Sequence, residues 1–216
     1  MTSGVALSMF ALKVCIFDPP PFAIKIHMRP LTLAFFVTTA AVLLTTQVQS
    51  QLVINEFDPS GPGIDTQEFV EIYGTPNQDL SGFVLVIFNG SNAQSNLSVD
   101  LSGYNLNSEG FFLVGGPGLP EADIVIESTN WLQVGQEGIA LYDADISAFP
   151  NGTPVSSEDI LDGVVYGNNQ PPMSALLDVL TPNGTQLNES AEGLADYQSL
   201  SRVPDGGTPQ TPSEFI

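Results

Sequence analysis

Residues 51–216 predict an all-β chain, a sandwich or a barrel, on three observations. Apolar runs are short or alternate with polar residues at every second position. Clusters of Gly, Pro, Asn, Asp and Ser separate them at intervals of roughly 10–20 residues. Only MSALLDVL (173–180) has helical length and spacing.

The predicted strands, in order, are LVINEF (52–57), QEFVEIY (67–73), FVLVIFN (83–89), LSVDL (97–101), GFFLVGG (110–116), DIVIE (123–127), GIALYD (138–143), LDGVVYG (161–167) and QSLSRV (198–203). FVLVIF is apolar on both faces, as a central strand covered on both sides must be. PSGPGID, GTPNQDLSG, NGSN, SGYNLNSEG, GPGLP and FPNGTP read as the connecting turns. DLSGF (79–83) echoes DLSGY (100–104): in each, Asp closes a turn on backbone amides, Gly takes a positive φ and the aromatic residue starts the next strand. Residues 168–197 read as loop apart from the one helix.

The front of the chain has a different character. Residues 1–50 hold Lys13, Lys25, Arg29, the only His and the only Cys, with Asp18 as their one acid. Arg29 follows Met28, the run Leu31–Leu44 is apolar, and Val48-Gln49-Ser50 ends in small or polar residues. That order predicts a signal peptide over residues 28–50, cut before Gln51, with residues 1–27 a gene-model extension ahead of it and 51–216 the mature domain. The run is short of the roughly 20 residues a membrane span needs, so no span is expected once the signal is removed. A secreted chain without cysteine is held by its core and not by disulfides.

Residues 51–216 carry 23 acids and one base, Arg202, a formal charge of −22. Such a surface repels nucleic-acid phosphates and anionic lipids, and it attracts cations, basic proteins and mineral surfaces. Without His, Cys or Lys the segment offers no Ser-His-Asp, Cys-His or Ser-Lys nucleophile and no zinc site of ordinary ligands. Carboxylate chemistry on glycans is the remaining enzymatic reading, and it ranks third. Calcium is the cofactor the acids suit best, bound weakly as in extracellular modules. Two acid-rich loops are candidates. Asp143 and Asp145 begin like an EF-hand but have Ala148 and Pro154 where that loop needs Gly and Glu; Glu158, Asp159 and Asp162 lie near in sequence. Asp58 and Asp65, with Glu68, flank PSGPGID. Five N-x-[ST] sequons, at Asn89, Asn96, Asn151, Asn183 and Asn188, predict a glycoprotein.

Taken together, LVINEF, QEFVEIY, DLSGFVLVIFN, LSGYNLNSEGFFLVGG, DGVVYG and QSLSRVPDGG resemble the lamin-tail domain family in its secreted form, in order and approximate spacing. Phe83 stands where that pattern has Trp after D-L-S-G. The resemblance implies an immunoglobulin-like β-sandwich and a non-catalytic module. With the about nine short strands read above and the acidic surface, the expectation is a module that binds an extracellular protein, glycan or mineral. Strand alternation puts Arg202 on one face with Leu200. A guanidinium on an apolar face needs a carboxylate, and Glu71 or Glu68 of QEFVEIY is the expected partner, tying the last strand to the sandwich.

Overall fold

The computed structural model describes residues 51–216 except Pro62, Glu192 and Leu194. The expected signal peptide (28–50) and the extension before it lie outside the described residues. Among the described residues the fold is all-β: two five-stranded sheets and one α-helix. The strands are β1 (Val53–Asp58), β2 (Phe69–Tyr73), β3 (Phe83–Asn89), β4 (Gln94–Asp100), β5 (Phe111–Gly115), β6 (Ile124–Val125), β7 (Glu137–Asp143), β8 (Ile160–Gly167), β9 (Leu187–Asn188) and β10 (Leu200–Ser201); α1 is Ser174–Leu180. One sheet has the order β10-β1-β2-β5-β6 and the other β4-β3-β7-β8-β9. Pairing is antiparallel except for β5 with β6 and β8 with β9.

All nine predicted strands are present within a few residues of their expected bounds. The addition is β9, only two residues long and therefore without a readable period.

The main core lies between the sheets. Ile54, Phe57, Val70, Ile72 and Val114 of the first sheet meet Leu85, Ile87, Ile139, Leu141, Val164 and Tyr166 of the second. Period-two alternation cannot place both Ile54 and Phe57 inward, because they differ by three positions. The β1–β2 register shifts between Ile54 and Glu56, and that bulge at Asn55 turns Phe57 back into the core.

A second core covers the outer face of the β3 sheet. Val84, Val86 and Phe88 pack there with Ala140, Tyr142, Phe149 and Val165 beneath Leu176 and Leu180 of α1. This is why FVLVIF is apolar on both faces. Close seating of α1 needs a residue without a side chain below it: a Cβ on Gly138 would sit 2.6 Å from Leu180 Cδ1.

The D-L-S-G turns close as expected, with Ser81 N donating to Asp79 Oδ1 (2.8 Å) and Ser102 N to Asp100 Oδ1 (2.9 Å). Gly82 and Gly103 adopt φ of 86° and 87°. Phe83 starts β3, but Tyr104 stays outside any strand and is 39% exposed. At the other end of β3, a Cβ on Gly90 would fall 1.9 Å from the Gln136 carbonyl oxygen, backbone against backbone. Gly90→Ala must therefore push the β3–β4 turn away from the start of β7, and a urea melt should register a loss of about 2 kcal/mol or more.

Candidate functional site

Arg202 is the largest fully buried side chain, 1% exposed. Its partner is not the expected one: neither Glu71 nor Glu68 reaches it. Nη2 lies 3.0 Å from Asp162 Oδ2 and 3.2 Å from Oδ1, and Nη1 lies 2.8 Å from Glu214 Oε2. Nε donates to the Ile54 carbonyl (2.8 Å) and Nη1 to that of Thr208 (2.9 Å). The Phe215 ring lies 4.6 Å from the guanidinium carbon. Asp162 accepts further from the backbone N–H groups of Ile54, Gly163 and Gln210. Burial raises the Asp162 carboxyl's pKa, and the guanidinium and these amides oppose that shift. Every contact on its oxygens is a donor, which only the ionised form accepts in full. Asp162 sits on β8, so the pair bridges the two sheets and pins the C-terminal segment, whose Ile216 exchanges two backbone bonds with Ser201.

The two expected partners have other work. Glu71 is only half-buried and accepts from Asn55 Nδ2 at 2.9 Å. Glu68 is fully buried and accepts from the backbone N–H groups of Trp131 and Leu132, both at 3.0 Å, closing the loop between β6 and β7. The sequence signal for the true partner existed. Asp162 alternates in phase with Val164 and Tyr166, both of which point into the main core.

The acid-rich loop around Asp143 does not come together as a site. Asp145 caps a 3-10 turn, accepting from Ser147 N at 2.8 Å. The Ser147 hydroxyl and, behind it, that backbone bond hold its pKa below the usual carboxylate range. Asp143, Glu158 and Asp159 are exposed, and Asp162 belongs to Arg202. The other loop differs. Asp58 Oδ1 accepts from Ser60 N at 3.1 Å, the Ser60 hydroxyl donates to Glu189 Oε1, and it also lies 3.1 Å from the Ala195 carbonyl oxygen. Glu189 is 1% exposed and Ser60 6%. Behind the larger effect of burial, Glu189 and Asp65 help raise the Asp58 pKa, Asp196 that of Asp65, and Asp65 and Asp196 that of Glu189. Burial pushes Asp58 and Glu68 up to about 7, and Glu137, whose carboxylate meets the Gly90 N–H, up to about 8. Glu189 had no readable signal; it lies 129 positions from Ser60 and follows the two-residue β9.

Among the described residues no group of three or more His, Cys, Asp or Glu side chains is placed to hold a metal ion. A polar cleft of about 390 Å³ is lined by Asn168, Asn169, Ser190, Ala195, Asp196 and Tyr197. A more apolar cleft of about 360 Å³ lies at the start of β1, between Leu52, Phe83, Ile160, Leu161 and Pro209. Among the described residues no helix is long and apolar enough to cross a membrane.

The sequons fall into two groups. Asn96, Asn151 and Asn183 are exposed. Asn89 and Asn188 are half-buried and already bonded: Asn89 Oδ1 accepts from Ser91 N at 2.8 Å, and Asn188 Nδ2 donates to Asn169 Oδ1 at 2.9 Å.

The fold and the site define an all-β sandwich with a buried ion pair and, apart from it, a buried glutamate, Glu189, bonded to Ser60. No family model matches the chain, and no curated protein matches it. Its function is therefore read from its own residues.

Proposed function

We propose that this chain is a secreted, non-catalytic module, similar to lamin-tail domains and immunoglobulin-like, that acts by binding in the extracellular space. The observation that carries this reading is the position of Arg202. The only base of residues 51–216 lies inside the sandwich and is bonded to Asp162 and Glu214. The outer surface of that segment is left with carboxylates and neutral groups. Such a surface selects partners that present cations: a basic protein, a glycan bearing amines, or a mineral.

Expression of the full chain in secreting eukaryotic cells tests the reading. The product should appear in the medium beginning at Gln51, and enzymatic removal of N-glycans should lower its mass. The glycans should sit on Asn96, Asn151 and Asn183 in preference to the bonded Asn89 and Asn188. Retention inside the cell with residues 1–50 still attached would overturn it.

A second reading, a calcium- or mineral-associated acidic glycoprotein, shares this fold and differs in its ligand. It is favoured by the carboxylates of Asp58 and Glu189, both bonded to Ser60.

A further inference from the structure

The two sheets differ on their outer faces. That of the second sheet is covered by α1 and the second core. On the first sheet, alternation turns Val70, Ile72, Phe112 and Val114 into the main core. It turns Phe69, Tyr73, Phe111 and Leu113 to the opposite face, where all four stay part-exposed. Tyr73 and Phe111 are directly opposed across β2 and β5, with ring centroids 4.9 Å apart.

The charges beside these rings are of one sign. Glu56 stands directly opposite Glu71 in the β1–β2 pair, and like charges at such positions, with Cβ atoms about 5 Å apart, repel. Asn55 Nδ2 donates to Glu71 Oε1 at 2.9 Å and to Asp205 Oδ1 at 3.2 Å, one amide serving two carboxylates. Burial raises the Glu71 carboxyl's pKa, and Glu56 and Asp205 add to that shift. Arg202, the only base of the described residues, is buried with Asp162 and Glu214 and does not offset them. The five sequons fall on β3, β4 and β9 and in the segments after β7 and α1, so no N-glycan is rooted on a strand of this sheet.

We propose that the outer face of the first sheet docks an arginine-bearing segment of a basic protein, its guanidinium groups stacked on Tyr73, Phe111 and Phe69 and paired with Glu56 and Glu71. The proposal rests on the binding-module reading above; it selects one of that reading's partners and gives it a place. Arginine fits better than lysine because its planar group lies flat on an aromatic ring, bonds carboxylates bidentately and is more weakly hydrated. The fold already uses this combination once: Arg202 meets two carboxylates and lies 4.6 Å from the Phe215 ring centre. A second copy of the chain is a poor occupant, because it would set the same carboxylates against each other, and an anionic lipid surface is repelled for the same reason.

The experiment titrates the purified full chain into fluorescein-labelled nona-arginine and, separately, nona-lysine, which carries the same charge, and follows anisotropy at about 0.15 M salt, where long-range attraction is screened. Nona-arginine should bind about fivefold more tightly than nona-lysine. Tyr73→Ala and Phe111→Ala should each weaken nona-arginine about fivefold, and Glu71→Gln by a similar factor. Glu158→Gln removes the same charge from an exposed position between β7 and β8 of the other sheet, and it should leave the affinity unchanged. If an aromatic variant does not fold, Glu71→Gln against Glu158→Gln decides the matter. Equal affinity for the two peptides, or equal losses at Glu71 and Glu158, would mean attraction to a −22 surface as a whole and would overturn the site. Absence of binding overturns it too, as would a neutral oligosaccharide such as cellohexaose binding to this face in place of the arginine peptide. None of these outcomes depends on where a cell sends the chain, so the secretion reading stands or falls separately.

Discussion

Replacing Arg202 by Met is expected to lower the melting temperature by on the order of 10 °C. Methionine fills much of the same volume, but it leaves Asp162 fully buried with its guanidinium removed. Breaking one side of such a pair costs about 3–5 kcal/mol, and in a domain of this size each kcal/mol is worth roughly 2–4 °C. The carbonyls of Ile54 and Thr208 lose donors at the same time. Asp162→Asn should cost less than Arg202→Met, because its one amide oxygen can still accept from Gly163 N and Gln210 N, though not also from Ile54 N, while Glu214 remains beside the guanidinium. Glu71→Gln is the informative control. Its amide oxygen can still accept from Asn55, and burial already raises the Glu71 carboxyl's pKa, so the melt should move little. Equal effects at Arg202 and Glu71, or none at Arg202, would contradict the pairing described here.

Stability is expected to fall as pH rises from 5 to 8. Asp58 and Glu68 are pushed up to about 7 and Glu137 to about 8, chiefly by burial. Their ordinary values are 3.8 for Asp and 4.5 for Glu. Between these limits the folded chain binds more protons than the unfolded chain, so raising the pH favours unfolding. The contribution is fully present below the ordinary carboxyl values and is lost as pH climbs through the raised ones. Asp79, Asp145 and Glu214 shift downward, so their contributions are complete above pH 5 and do not tilt this window. Melts at constant ionic strength, without divalent ions, should show a drop of on the order of 5–10 °C. Glu137→Gln should flatten the upper part of that fall. A melting temperature that rises from pH 5 to 8 would refute the assignment.

Much of the fold was legible because a sheet writes itself into sequence as a period of two. β2, β3, β5, β7 and β8 follow from their alternation or continuous apolarity, and the punctuation by Gly, Pro and Asn located the turns. The double apolarity of FVLVIF even implied a cover on the outer face, which α1 supplies. The candidate site was less legible. Asp58 and Asp65 stood out as loop acids near Glu68, but Glu189 did not, because nothing local distinguishes an acid that folds onto a serine from β1. Asp162 had a signal in its phase with Val164 and Tyr166, obscured by the acids that precede it.

What the sequence determined by itself is the all-β class, the strands and their turns, and the concentration of positive charge at Arg202; these depend on neighbours a few positions apart. The tertiary structure alone decided which carboxylate meets that arginine, that a bulge at Asn55 turns Phe57 inward, and that Glu189 reaches Ser60. Those outcomes depend on sheet register and on contacts between distant segments. Shifting a strand by one residue exchanges its faces, so a partner across the sandwich is set by the packing of both sheets and not by the local period of either.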